Sequence, residues 1–218
     1  MELWIDGIHV MPKPGQTLLE IIKDLGFDCS NLPKRPIAAK IAGEVFNLNY
    51  IPLRISDACQ ERPSIRRAMA ASGGKIQLLR YFDPNGKDVY ARTAQFVLFL
   101  AIRQLWPEAR AKMNCTVGPA LFVEVSGTES FSAEQLKKQV KMLVQQDIPL
   151  LRRRITTCEA IDKFTGQGQC DKARLLQWRT EPYFDQYAYG EFSDYYYGEL
   201  APSTGYLQVW DILEAEGG

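Results

Sequence analysis

The sequence predicts an α+β chain, and three observations carry that expectation. Apolar residues alternate around an Asp6-Gly7 turn; Thr17/Glu20, Ser132/Gln135 and Thr156/Glu159 each place a capping pair before an apolar stretch at helical spacing; and short strand-like runs recur between those stretches. With 218 residues, 46% hydrophobic and 24% charged, the composition is that of an ordinary globular protein. It holds enough apolar material for one large core or two small ones.

The order of elements follows from local chemistry. Leu3 and Ile5, the Asp6-Gly7 turn, then Ile8 and Val10 read as a hairpin ended by Pro12 and Pro14-Gly15. Thr17 and Glu20 start a short amphipathic helix through Leu18, Leu19, Ile21, Ile22 and Leu25, which Gly26 ends. Ile37 to Ile41, a turn at Ala42-Gly43, a return through Val45 and Phe46, and Ile76 to Leu79 after Gly73-Gly74 supply further strands. One helix packed on such a sheet is a β-grasp arrangement. Residues 56 to 72 interrupt it with a short helix or loop bearing Arg62, Arg66 and Arg67.

Asp83-Pro84-Asn85-Gly86 reads as turn chemistry and marks a junction, giving expected domains at 1–82 and 83–218. Beyond it, Phe96, Val97, Leu100, Ala101 and Leu105 form a helical stripe that Pro107 stops. Met113 to Val117 and Leu121 to Val125 read as strands joined at Gly118-Pro119, and Ser132 opens the helix of Leu136, Val140, Leu143 and Val144. Ile148 to Ile155 reads as a strand, Thr156 caps the next helix, and Asp171 to Arg179 forms another. A tyrosine-rich, turn-rich tail of strands closes the chain.

Composition narrows function. Formal net charge is zero, which argues against binding nucleic acid through bulk charge alone. Residues 1 to 87 carry twelve bases and nine acids, whereas 180 to 218 hold eight acids and no base, so a phosphate-binding surface is expected outside that tail. Cys29, Cys59, Cys115, Cys158 and Cys170 are odd in number, widely spaced and free of any CxxC pair, and His9 is the sole histidine. No metal site is expected. The longest apolar run, Phe96 to Ile102, is too short to cross a membrane, and the first residues lack the order of a signal peptide, so the expected location is cytoplasmic and off the membrane. GxxxxGK[ST], GxSxG and HExxH are absent, and Gly166 with Gly168 reads as a helix-ending turn.

Residues 1 to 80, through IDGIHVMPKPGQTLLEI and RPIAAKIAGEVFNL, resemble a TGS domain, the ubiquitin-like β-grasp module at the front of threonyl-tRNA synthetases. Residues 88 to 212 resemble the second additional (editing) domain of those enzymes, through AIRQLWPEARAKM, SAEQLKKQV, ITTCEAIDKF and DYYYGELAPSTGYL. The pairing, with DPNGKDVYART at its join, looks similar to the front of bacterial uridine-kinase-like nucleoside kinases. That resemblance implies a non-catalytic accessory or regulatory region, partnered by its own C-terminal kinase domain. ATP and Mg would serve only that absent domain, and this chain would hold no cofactor.

The synthetase pattern is broken where its chemistry lies. Aligned by motif, the two histidines of HxxxH fall on Arg92 and Phe96, and the family's cysteine and last histidine on Tyr196 and Leu200. Arginine is no base near neutral pH, and phenylalanine and leucine offer no lone pair, so no catalytic residue is expected. Arg92, Asp194, Tyr196, Tyr197, Ser203 and Thr204 remain as a candidate ligand cleft for a nucleotide, unless Phe96 and Leu200 have filled it with core. Lys34 and Arg35, with Arg152, Arg153 and Arg154, are candidate phosphate or RNA contacts, although a charge run is usually a solvated face. An RNA- or tRNA-binding module is therefore the alternative function, and a free-standing aminoacyl-tRNA deacylase with a degenerate site a second alternative.

Overall fold

A computed structural model of the chain describes residues 2–52, 69–118, 120–128 and 130–215. The fold is mixed α and β, and the chain divides into two compact units. One is Met1–Leu150 with Gly198–Gly218, and the other is Leu151–Tyr197.

In the first unit, β1 (Leu3–Ile5) and β2 (Ile8–Val10) form the expected antiparallel hairpin, with Asp6 and Gly7 both at positive φ as its two-residue turn requires. Thr17 and Glu20 close a complete capping box on α1 (Leu18–Asp24). β3 (Ala38–Ile41), β4 (Glu44–Phe46) and β5 (Lys75–Leu79) complete a five-stranded sheet of order β2-β1-β5-β3-β4, in which β1 and β5 run parallel. Leu3, Ile5, Ala39, Ile41, Phe46, Ile76 and Leu78 line one face and pack with Leu18, Ile21 and Ile22 of α1. Period-2 alternation leaves Trp4, His9, Lys40, Lys75 and Gln77 on the other face. Most of the inserted segment, 53–68, lies outside the described residues, and Met69 to Ser72 are helical.

Asp83-Pro84-Asn85-Gly86 is not the free turn its composition suggests. Asp83 is the N-cap and Pro84 the first residue of α2 (Pro84–Leu105), where a proline costs no hydrogen bond and presets φ. Gly86 is required by contact: a Cβ there would sit 1.9 Å from the Arg80 carbonyl oxygen. Val89, Thr93, Phe96, Val97, Leu100 and Ala101 form the buried stripe of α2, which packs on α3 (Ala133–Gln145). β6 (Arg110–Val117) and β7 (Ala120–Ser126) make a separate two-stranded ribbon. The strand expected over 148–155 is split: Pro149 bridges Ser203, and regular pairing begins only at Arg152.

The second unit pairs β8 (Arg152–Thr156), β9 (Tyr183–Tyr189) and β10 (Phe192–Asp194) into an antiparallel sheet of order β10-β9-β8. A second complete capping box, Thr156 with Glu159, opens α4 (Thr157–Gly166), and α5 (Cys170–Gln177) follows after Gly168 at positive φ. Ala160, Phe164, Ala173, Leu176 and Phe184 form its core. β9 and β10 are the strands of the tyrosine-rich tail, and after Asp194 the chain leaves regular strand.

Candidate functional site

In the first unit, the positions that the resemblance assigns to chemistry are occupied by packing. Phe96 and Leu200 are completely buried among the apolar side chains of that unit. Arg92, on the flank of α2, donates from Nε to the Glu199 carbonyl oxygen at 3.1 Å. Its guanidinium lies so near Gly198 that a Cβ there would be 2.8 Å from Cζ. One residue on, Thr93 Oγ1 donates to the Val89 carbonyl at 2.7 Å and accepts from the Ala201 amide at 2.8 Å. α2 thus binds the 199–201 backbone directly.

Ser203 and Thr204 belong to the same seam. Thr204 Oγ1 donates to the Leu143 carbonyl at 2.6 Å and accepts from the Ile148 amide at 2.9 Å, which uses its one donor. Ser203 Oγ donates to Asp147 Oδ1, and the Gly205 amide donates to the same oxygen at 3.2 Å. Gly205 cannot carry a side chain, because its Cβ would fall 2.2 Å from Asp147 Oδ1. These hydroxyls end α3 and anchor the tail, a role that the reading of them as ligand groups did not foresee.

Asp194, Tyr196 and Tyr197 fall in the second unit. Asp194 is almost fully buried, accepts from Lys172 Nζ at 2.5 Å and from the Tyr195 amide at 2.8 Å. Burial of the Tyr196 hydroxyl, together with the Asp194 carboxylate, raises its pKa well above the ordinary phenol value. Tyr196 therefore stays protonated at physiological pH and is no general base. The Tyr195 phenol is pushed up to about 12 by burial and by its neighbour Tyr197. Tyr197 is exposed, with its ring edge-on to that of Tyr195 at 5.5 Å between centroids.

The arginine run divides as strand periodicity demands. Arg152 and Arg154 share one face of β8 and both engage Asp185, their nearest contacts each at 3.0 Å, whereas Arg153 points away and is exposed. Two of the three cations thus share a single carboxylate within their own sheet, which offsets only one of the two charges. In the first unit, Arg35 lies with Cζ 3.4 Å from the Tyr206 ring centroid and donates from Nη1 to the Gly205 carbonyl at 3.4 Å. Burial raises the Tyr206 pKa, and the Arg35 charge partly offsets that rise. Lys34 is exposed.

His9 contacts Glu2 at 3.4 Å. Among the described residues there is no group of three or more histidine, cysteine, aspartate or glutamate side chains placed to hold a metal ion. No described helix is long and apolar enough to cross a membrane.

Several connecting residues escaped the sequence. Asn47 Nδ2 donates to the Leu200 and Ala201 carbonyls at 2.7 and 3.2 Å, Asn49 Nδ2 to the Pro202 carbonyl at 2.9 Å, and Tyr90 OH to the Val209 carbonyl at 2.6 Å. The signal in the sequence was the i, i+2 spacing of the two asparagines, which fall in a turn where the Asn49 amide donates to Asn47 Oδ1 at 2.7 Å.

With this geometry in view, the class is clear: an α+β chain similar to part of the threonine–tRNA ligases, with packed side chains at the positions where the synthetase resemblance placed editing chemistry. No family model matches the chain. It is 27% identical over 205 residues to a threonine–tRNA ligase of Carboxydothermus hydrogenoformans, covering 92% of this chain and 29% of that protein. Similar matches are to the threonine–tRNA ligase of Symbiobacterium thermophilum, at 26% over 93% of this chain, and of Paraburkholderia xenovorans, at 28% over 62%. The chain spans under a third of the length of these relatives.

Proposed function

We propose that this chain is a tRNA- or RNA-binding module related to the front of threonyl-tRNA synthetases, without their hydrolytic chemistry. The observation that carries the reading is the likeness to threonine–tRNA ligases over almost the whole chain, combined with a buried Phe96 and Leu200 where editing side chains would stand. The sheet order β2-β1-β5-β3-β4 with α1 on one face supports a TGS-like β-grasp for residues 1–82. Lys34 and Arg153, both exposed, support a role in holding phosphate, whereas Arg35, Arg152 and Arg154 have protein partners. The relatives named above lend no support to a nucleoside-kinase parent or to a kinase domain as partner. The RNA-binding reading does not depend on either.

Titration of the full chain with threonine tRNA tests this. Binding should weaken steeply with salt, as counterions released from the phosphates require. Absence of binding at low ionic strength would end the proposal. Mischarged tRNA incubated with the chain should remain acylated; hydrolysis that Tyr196→Phe abolishes would instead favour the deacylase alternative.

A further inference from the structure

The open face of the five-stranded sheet carries a row of side chains that the core does not need. Register places His9 of β2 opposite Trp4 of β1, and Trp4 opposite Lys75 of β5. Two residues along β5, Gln77 pairs with Lys40 of β3, which pairs with Val45 of β4. All five strands therefore contribute to one stripe, about 19 Å long at the usual strand spacing of about 4.8 Å. Trp4 is 43% exposed although it sits mid-strand, and its ring lies 4.9 Å from that of His9.

The charge on this face is one-sided. Its two acids, Glu2 and Asp6, are engaged by His9 at 3.4 Å and by Arg80 at 3.2 Å. Among the described residues, Lys40 and Lys75 have no carboxylate partner. An exposed indole with Lys75 on the next strand and Lys40 on the strand beyond it, both on the side away from His9, suits an unstacked base with its phosphates. Every base has a π-face for the ring, and the lysines lie along the path of a backbone leading away from it.

The geometry points to this stripe, Trp4, Lys75, Gln77 and Lys40, as a platform for single-stranded nucleic acid, with a base on Trp4 and phosphates on the two lysines. This rests on the RNA-binding reading and gives it a surface.

Anisotropy of a short fluorescein-labelled oligouridylate with the full chain, read across salt concentrations, separates the two ideas. Wild type should bind, and Trp4→Ala should weaken binding about tenfold. Lys40→Gln with Lys75→Gln should lower the slope of log affinity against log salt by about 1.4, since each phosphate contact on a single strand contributes about 0.7. These lysines are outside the core, so the second variant tests the platform even if loss of the indole disturbs β1. Variants that match wild type on the oligonucleotide would overturn the platform while leaving RNA binding intact, as would binding of tRNA without any affinity for oligouridylate. Binding to neither RNA would overturn both.

Discussion

The α2 flank at residues 92 to 96 and the open face of the five-stranded sheet lie in the same unit and make contrasting use of their side chains. On α2, where the synthetase resemblance locates chemistry, Phe96 is sealed and Arg92 and Thr93 hold backbone. On the sheet, where only alternation is demanded, Trp4 and Lys75 stand exposed and Lys40 is half-buried. Inherited position is a poor guide to where a side chain is free to act, and burial is a better one.

The sharpest way to break the comparison is to empty the sealed side. Phe96→Ala should cost about 3–5 kcal/mol and Leu200→Ala about 2–5 kcal/mol in urea unfolding, because each leaves a cavity. A loss below about 1 kcal/mol would mean that the α2 flank keeps an open cleft. Thr204→Val comes next: it strips the Ile148 amide of its acceptor in a buried place and should cost about 1–3 kcal/mol. Equal stability there would show that water replaces the hydroxyl, and hence that the seam is wet.

On the sheet side, Trp4→Ala should change stability by no more than about 1 kcal/mol while weakening oligouridylate binding. A large loss of stability would class Trp4 as core and erase the contrast.

The smallest effect is expected at the helix caps. Glu20 and Glu159 are held below the ordinary glutamate value of 4.5, first by the backbone amides of Thr17 and Thr156 and then by their hydroxyls. Their contribution is therefore present above that value and lost as pH falls through the lower folded value. Glu20→Gln with Glu159→Gln should flatten the acid side of the stability profile by lowering the neutral side slightly towards the acid level. An unaltered acid limb would show that the caps do not couple to folding.

The elements that could be read from sequence are those specified within a few residues. Asp6-Gly7 fixed the first hairpin, and Thr17/Glu20 and Thr156/Glu159 placed two helix starts, because both partners of each device lie in the same short window. Asp83 to Gly86 misled because proline, aspartate and glycine suit a turn and a helix start alike. The deciding contact, Gly86 against the Arg80 carbonyl, is tertiary. The candidate site was harder still. Two of the three arginines in β8 meet an aspartate 31 or 33 positions away, and Thr204 meets partners 56 and 61 positions away, distances over which no periodicity speaks. Phe96 and Leu200 were legible as replacements, and of the two outcomes left open for them, a cleft or core, both side chains are buried.

The bonds from Asn47, Asn49 and Tyr90 to residues 200–209, and from the Gln208 side chain to the Ser30 carbonyl and the Leu32 amide, have a consequence for synthesis. The first unit needs both ends of a long excursion, whereas Leu151–Tyr197 is contiguous and complete when Tyr197 emerges. At about 5–20 residues per second, the ribosome holds the earlier portion unfinished for several seconds while the later one is already able to close. The α2–α3 portion, whose bonds run to residues 199–205, therefore waits on that segment, and in a nascent chain arrested at Leu150 it should remain sensitive to protease until the segment beyond Gly198 is supplied.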